Sequence, residues 1–148
     1  MDNPQVTDFE LGWLIGIFDG EGCFGLYENR SWGSKYLYYI PSIFLVNTKD
    51  EIINKAADIL RKLDIPFYIS VMTRAKNQKS AKRLNINGFK RVAKFVNILA
   101  KYFECRADQV NCLVDFIALR LSKPENAELG PEEWAIYNDL RQLNKRGN

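Results

Sequence analysis

The stretch Leu11-Gly-Trp-Leu-Ile-Gly-Ile-Phe-Asp-Gly-Glu-Gly-Cys-Phe24 decides how this chain is read. Just before it, Thr7 and Glu10 are spaced as a capping box, with Val6 and Leu11 placed as a hydrophobic staple. They predict a helix from about Asp8 to Gly20. Gly12, Gly16 and Gly20 recur every fourth residue, so they stack on one helical face. Each interior glycine costs about 1 kcal/mol against alanine. The physical compensation is close approach of another backbone along that ridge. Trp13, Leu14, Ile15, Ile17 and Phe18 leave almost no polar side, which predicts burial nearly all round.

Two carboxylates, Asp19 and Glu21, stand at the end of this helix, where the macrodipole is already negative. Two readings follow. In one, a hard divalent cation is bound by carboxylate and backbone carbonyl oxygens. In the other, Asp19 caps backbone amides and Glu21 pairs with a lysine. If the close neighbour is the same helix of a second copy, both Glu21 side chains lie near one axis. Two carboxylates there would hold metal ions against two phosphodiesters, one per strand.

Outward from this helix the pattern alternates. Cys23 to Glu28 reads as a strand and Leu37 to Asn47 as another, joined by a polar turn over 29–35. Thr48 and Glu51 predict a second capping box, opening a helix with Ile52, Ala56, Ile59, Leu60 and Leu63 on one face. Pro66 to Thr73 and Ala81 to Asn87 form a second hairpin around the tip 74–80. A helix near Phe89 to Phe103 follows, then one over Ala107 to Leu121, a loop over Ser122 to Gly130, and a last helix opening at Pro131. Helices after each hairpin predict an α+β chain, one four-stranded antiparallel sheet with helices on one face. Parity puts Phe24 and Leu26, Phe67, Ile69 and Val71, and Leu84 and Ile86 toward the helices. The second strand is apolar on both faces: Ile40, Phe44 and Val46 are assigned to the core, leaving Ile43 and Leu45 unexplained on the other side.

Composition narrows the chemistry. The 148 residues suit one domain and contain no histidine, which excludes Ser-His-Asp triads, Cys-His dyads and histidine-ligated zinc. Three cysteines (Cys23, Cys105, Cys112) form no close pair and fit intracellular thiols. No apolar run is long enough to predict a membrane span. The net charge of +3 conceals a strong segregation. Residues 1–29 carry six acids and no Lys or Arg, residues 30–106 carry 16 basic and 5 acidic residues, and residues 107–148 carry 5 and 7. Such a basic block favours a nucleic-acid partner, with a solvated basic face as the alternative.

Leu14-Ile-Gly-Ile-Phe-Asp-Gly-Glu-Gly22 resembles the signature of the LAGLIDADG homing endonucleases. The following Cys-Phe and the helix-hairpin-helix-hairpin-helix order agree, from about Thr7 to Leu121. The resemblance implies an αββαββα fold with a DNA-binding saddle and extra C-terminal helices. It places an endonuclease core at 1–121, with 122–148 as a loop and helix packed on it. One motif implies a homodimer that cuts both strands of a long, pseudo-palindromic double-stranded DNA site across the minor groove. The implied metal is Mg2+, with Ca2+ or Mn2+ as substitutes. By resemblance Glu21 is the metal ligand, joined by the Gly20 carbonyl. Asp19 supports the interface and helix end, and Asn47 or Thr48, together with Arg106, completes the active site. Gly12, Trp13, Gly16 and Asp19 form the dimer interface.

The sheet's mixed face then meets DNA. Arg74 and Arg83 are placed to read guanine or bind phosphate, and Asn29, Asn47 and Asn85 to read adenine or serve as scaffold. Lys76, Lys79 and Lys82 are expected on phosphates. Tyr27, Tyr39 and Tyr68 are expected on thymine methyls or backbone. Ser31, Trp32 and Lys35 at the first hairpin tip, and Ser70, complete the expected DNA surface. The host of a mobile intron would be the setting. An intron RNA maturase, or a DNA-binding protein that does not cut, is the competing reading, with intron RNA as partner.

Overall fold

The computed structural model describes residues 5–29, 37–73, 75–77, 79–125 and 127–146. The elements run α1 (Asp8–Glu21), β1 (Cys23–Asn29), β2 (Tyr38–Asn47), α2 (Asp50–Lys62), β3 (Tyr68–Met72), β4 (Ala81–Asn87), α3 (Phe89–Leu99), a 3-10 turn (Ala100–Tyr102), α4 (Ala107–Leu121) and α5 (Pro131–Arg146). The four strands make one antiparallel sheet in the order β1-β2-β4-β3. Helices pack against one face of it, giving the expected α+β architecture. No helix among the described residues is long and apolar enough to cross a membrane.

The first capping box forms as the sequence predicts. Thr7 Oγ1 accepts from the Glu10 amide at 3.1 Å, and Glu10 Oε1 accepts from the Thr7 amide at 3.1 Å. Lys62 then ties Glu10 to α2 at 2.7 Å. The second box is absent. Lys49 takes the N-cap position of α2 without a side-chain cap, and Asn47 Oδ1 accepts from the Lys49 amide at 2.9 Å instead. Asn47 precedes Thr48 and has the same two-residue reach to the backbone, so it displaces Thr48 from that role.

The core lies between sheet and helices. Leu14 and Phe18 of α1 meet Ile43, Leu45, Ile53, Leu60, Leu84, Ile86 and Phe95, all fully buried. The second strand runs in the opposite sense to the sequence assignment. Ile43 pairs with Phe24 and Ile86, and Leu45 pairs with Leu84, so Ile43 and Leu45 face the helices. Ile40, Phe44 and Val46 face the open side. In α2, Ile53 takes the buried place that periodicity gave to Ile52.

The C-terminal helix closes the β1 end of the sheet. Leu140 enters the core. Tyr39 lies 4.1 Å from the Tyr137 ring, centroid to centroid, with Trp134 edge-on at 5.6 Å. The bond to Tyr137 and burial together push the Tyr39 hydroxyl up to about 12. Asn144 Nδ2 donates to the Phe24 carbonyl at 2.9 Å. Glu133, in the first turn of α5, is inaccessible to solvent. It binds Arg120 at 2.8 Å, Lys123, and the Gly130 amide at 3.0 Å. Burial raises the Glu133 carboxyl, but Lys123, the Gly130 amide and Arg120 outweigh it and leave it below the usual range.

Candidate active site and nucleic-acid interface

The turn from α1 into β1 sets the geometry. Gly22 ends the helix by donating its amide to the Phe18 carbonyl at 2.9 Å. A Cβ at Gly22 would stand 2.5 Å from that carbonyl oxygen, so only glycine fits. This tight exit places Asp19 and Glu21, two residues apart, in different surroundings.

Asp19 turns inward. Its carboxylate accepts from the Arg106 amide at 2.8 Å, the Cys105 amide at 3.1 Å and the Glu104 amide at 3.3 Å. Those amides are the uncapped entry of α4, where anionic charge is favoured. Burial raises the Asp19 carboxyl, yet the amides of Cys105, Arg106 and Glu104 prevail and hold it below its ordinary value. The capping alternative therefore describes Asp19. Its oxygens are engaged by backbone amides at the entry of α4.

Glu21 turns outward. It is exposed, and Asn47 Nδ2 donates to its Oε2 at 3.3 Å. No lysine pairs with it among the described residues. Of the two polar residues at the end of β2, Asn47 contacts Glu21 and Thr48 is exposed beside it. Arg106, through Asp19, is anchored at its amide, and its charge acts on Cys23 at the start of β1, together with that of Arg83. Burial of the Cys23 thiol outweighs both cations and raises it. No group of three acids, cysteines or histidines with metal-site spacing occurs among the described residues. Of the two acids at the end of α1, Glu21 is the one exposed.

The glycine ridge of α1 is open. Nothing lies within 4 Å of where a Cβ would stand at Gly12, Gly16 or Gly20. Phe9, 75% exposed, continues the same surface, with Lys55 over its ring and over Trp13 at 5.1 and 4.7 Å. The expected burial all round is therefore not met within one chain: only Leu14 and Phe18 of α1 are buried.

The open face of the sheet carries Tyr27, Asn29, Phe44, Tyr68, Ser70, Arg83, Asn85 and Asn87, as the pairing register dictates. Arg83 lies over Phe44 at 3.6 Å, and its Nε donates to Asn85 Oδ1 at 2.7 Å. Asn85 is only 2% exposed, and its amide donates to Ser70 Oγ at 3.1 Å and the Arg83 carbonyl at 3.0 Å. Its side-chain polar atoms are thus committed within the sheet. Asn87 Oδ1 accepts from Ser42 Oγ at 2.6 Å, and its amide donates to the Tyr68 hydroxyl at 2.8 Å. Phe44, Ser42 and Asn87 are missing from the sequence-based surface. A consistent parity for the second strand would have brought Ser42 and Phe44 onto it, and Asn87 shares the parity of Arg83 and Asn85 on β4.

Three expected DNA contacts sit elsewhere: Asn47, the register partner of Lys82, shares its side of the sheet and bonds Glu21 and the Lys49 amide. Tyr39 is a core residue facing α5. Lys82 falls on the helix side of the sheet and pairs with Asp50 at 3.2 Å. Lys76 and Lys79 are exposed at the second hairpin tip. Ser31, Trp32, Lys35 and Arg74 lie outside the described residues.

Residues 8–100 match the family described as the LAGLIDADG-like domain. The chain belongs to the LAGLIDADG family. Solved structures share the fold of this LAGLIDADG chain at low identity. The homing endonuclease I-CvuI, in complex with its target in the presence of Ca, is 16% identical with a TM-score of 0.65, covering 91% of this chain and 82% of that one. The group I intron-encoded homing endonuclease I-CeuI, complexed with DNA, is 15% identical with a TM-score of 0.67, covering 95% and 70%. The I-LtrWI LAGLIDADG homing endonuclease bound to target DNA is 14% identical with a TM-score of 0.66; all of this chain aligns with 48% of it. No curated protein sequence matches the LAGLIDADG chain significantly.

Proposed function

We propose that this LAGLIDADG chain is a site-specific double-strand DNA endonuclease, working as a homodimer on a long pseudo-palindromic target with a divalent metal ion. The observation that carries the reading is the place of Glu21. Its exposed carboxylate lies at the end of α1, beyond the open glycine ridge, and meets Asn47 at the end of β2, next in sequence to Val46, the register partner of Arg83. Docking two ridges brings two such carboxylates to one axis and joins two sheets into one long surface. The alignment of the whole chain with about half of I-LtrWI supports such a doubled arrangement.

The donor set fits a hard cation. Glu21 supplies acceptor oxygens, one of them without a partner among the described residues, and the Gly20 carbonyl stands beside it in sequence. Glu21 and Gly20 would hold the ion, Mg2+ in the first instance with Ca2+ or Mn2+ as substitutes. Such an ion activates water and offsets charge developing on a phosphoryl group. The chain's own residues prepare that chemistry. Asn47 orients the Glu21 carboxylate. Asp19 fixes the Arg106 backbone, and the Arg106 charge counters the approaching phosphate. An intracellular setting suits the three free thiols.

The test is linearisation of a plasmid carrying the target, with Mg2+ present. Glu21→Gln is expected to abolish cutting while leaving DNA affinity within a few-fold. Full cutting by Glu21→Gln would overturn the mechanism. Binding of intron RNA or DNA with no cutting by the wild type would favour the non-cleaving reading.

A further inference from the structure

We infer that Arg83 reads a guanine in the inner part of each DNA half-site, with Phe44 and Asn85 as its positioning residues. The inference rests on the DNA-binding reading above and adds to it one base identity and one place.

The argument starts from which polar groups on the open face are still available. The asparagines, obvious adenine readers by type, are committed. Asn85 is buried, with its Oδ1 bound by Arg83 and its amide spent on Ser70 and the Arg83 carbonyl. Asn87 is held on both sides by Ser42 and Tyr68. Arg83 is held differently. Its Nε is engaged by Asn85 at 2.7 Å and its guanidinium lies over Phe44 at 3.6 Å. Those contacts fix the plane and leave both terminal nitrogens without a partner among the described residues. A stacked, side-locked guanidinium presents a pre-oriented pair of donors, and little rotamer freedom is left to lose on binding.

A fork of donors selects its complement. In the major groove guanine shows two adjacent acceptors, O6 and N7. Adenine pairs its acceptor with a donor, cytosine shows a donor, and thymine shows one acceptor beside a methyl. Guanine alone matches both terminal nitrogens. A phosphate also matches, but the location argues against it. Arg83, on the central strand β4, lines a cleft of about 450 Å³ with Gly25, Ser42, Phe44, Tyr68 and Asn87, which spans all four strands of the open face. The exposed lysines suited to phosphates, Lys76 and Lys79, are at the hairpin tip instead.

The register supplies the position. Arg83 pairs with Val46, one residue before Asn47, whose amide contacts Glu21. One strand residue advances about 3.3 Å, close to the rise of one base pair. The guanine therefore lies within the few pairs next to the cut and appears once in each half-site.

The experiment is selection from a randomised duplex library with the full-length chain and Mg2+, scoring both cleaved and bound fractions. Wild type is expected to require guanine at one symmetry-related inner position. Arg83→Lys keeps the charge but loses the fork, so preference at that position should fall about tenfold or more, with other positions unchanged. Phe44→Leu should lower the same preference without altering the salt dependence of binding. Replacing that guanine by 7-deazaguanine should weaken wild type and leave Arg83→Lys indifferent. Thermal melts confirm that each variant is folded. Unchanged selection by Arg83→Lys, or a uniform loss across all sequences, overturns the inference and leaves the endonuclease reading standing. A folded wild type that neither binds nor cuts any library member overturns both.

Discussion

Asp19 and Glu21 carry the same charge and are separated by one glycine, yet one is satisfied within the chain and the other is not. Three amides from residues more than eighty positions away surround the first, and a single asparagine touches the second. Removing the Asp19 acceptors strips the entry of α4 of its cap. Asp19→Ala is expected to lower unfolding stability by about 1 kcal/mol in urea titration, a typical capping loss. The effect is pH-dependent with a definite sign. The folded carboxyl titrates below its ordinary range, so the folded chain binds fewer protons than the unfolded one. Its contribution is complete above the unfolded value and disappears as pH falls through the folded value. The stability gap between wild type and Asp19→Asn should therefore close on acidification. A gap that widens toward low pH would contradict this assignment. Glu21 was legible from its type and its place in the motif. The capping partners of Asp19 were not, because nothing local in the sequence points from residue 19 to residues 104–106.

At the scale of elements, α1 shows an internal conflict that a second copy would resolve. It is apolar all round, but its glycine face meets nothing within one chain. The monomer therefore has room at Gly16 for a side chain, and a larger residue there adds helix propensity. Gly16→Leu is expected to fold, with thermal stability equal to or above that of a monomeric reference, but to sediment as a monomer. A Gly16→Leu protein that still sediments as a dimer would place the interface elsewhere. The end of α4 and the start of α5 make a second test. Glu133 is buried against Arg120 and Lys123, and truncating it strands a cation with 9% of its side chain exposed. Glu133→Ala should cost about 3 kcal/mol or more by denaturant unfolding, and Arg120→Met with Glu133→Leu should recover most of it. Element limits were legible because periodicity is local, near 3.6 in helices and two in strands: α4 and β4 match the sequence limits residue for residue. The second strand was misassigned for a physical reason. Its open face is apolar because Phe44 serves as the platform under Arg83, so both faces carried hydrophobic side chains and parity lost its meaning.

For the whole molecule, charge segregation now has a geometry. The acidic first segment contributes α1, the outward Glu21 carboxylate and β1, and the basic middle segment supplies the other three strands and the second hairpin tip. Lys76 and Lys79 stand exposed at that tip. Substituting both by alanine is expected to reduce the slope of log affinity against log salt by about two per half-site, with sequence preference retained. An unchanged slope would remove the tip from the DNA contact. Such global properties were visible in composition alone, since counting charges by segment needs no fold. Lys82 shows the limit of that counting, because one step of strand register turns it from the open face to Asp50.

The two edges of the sheet are not equivalent. Along β1, Asn144 occupies the Phe24 carbonyl, and α5 shields the strand. Along β3, residues 68–72 contain neither lysine nor proline, and Val71 is 70% exposed. Unprotected edges of this kind are templates for added strands. Under heating, strand addition is therefore expected at β3 and not at β1, and hydrogen-exchange protection gained over residues 68–72 in the aggregate would check it. The same asymmetry makes β3 the place where a gatekeeping charge would most improve solubility.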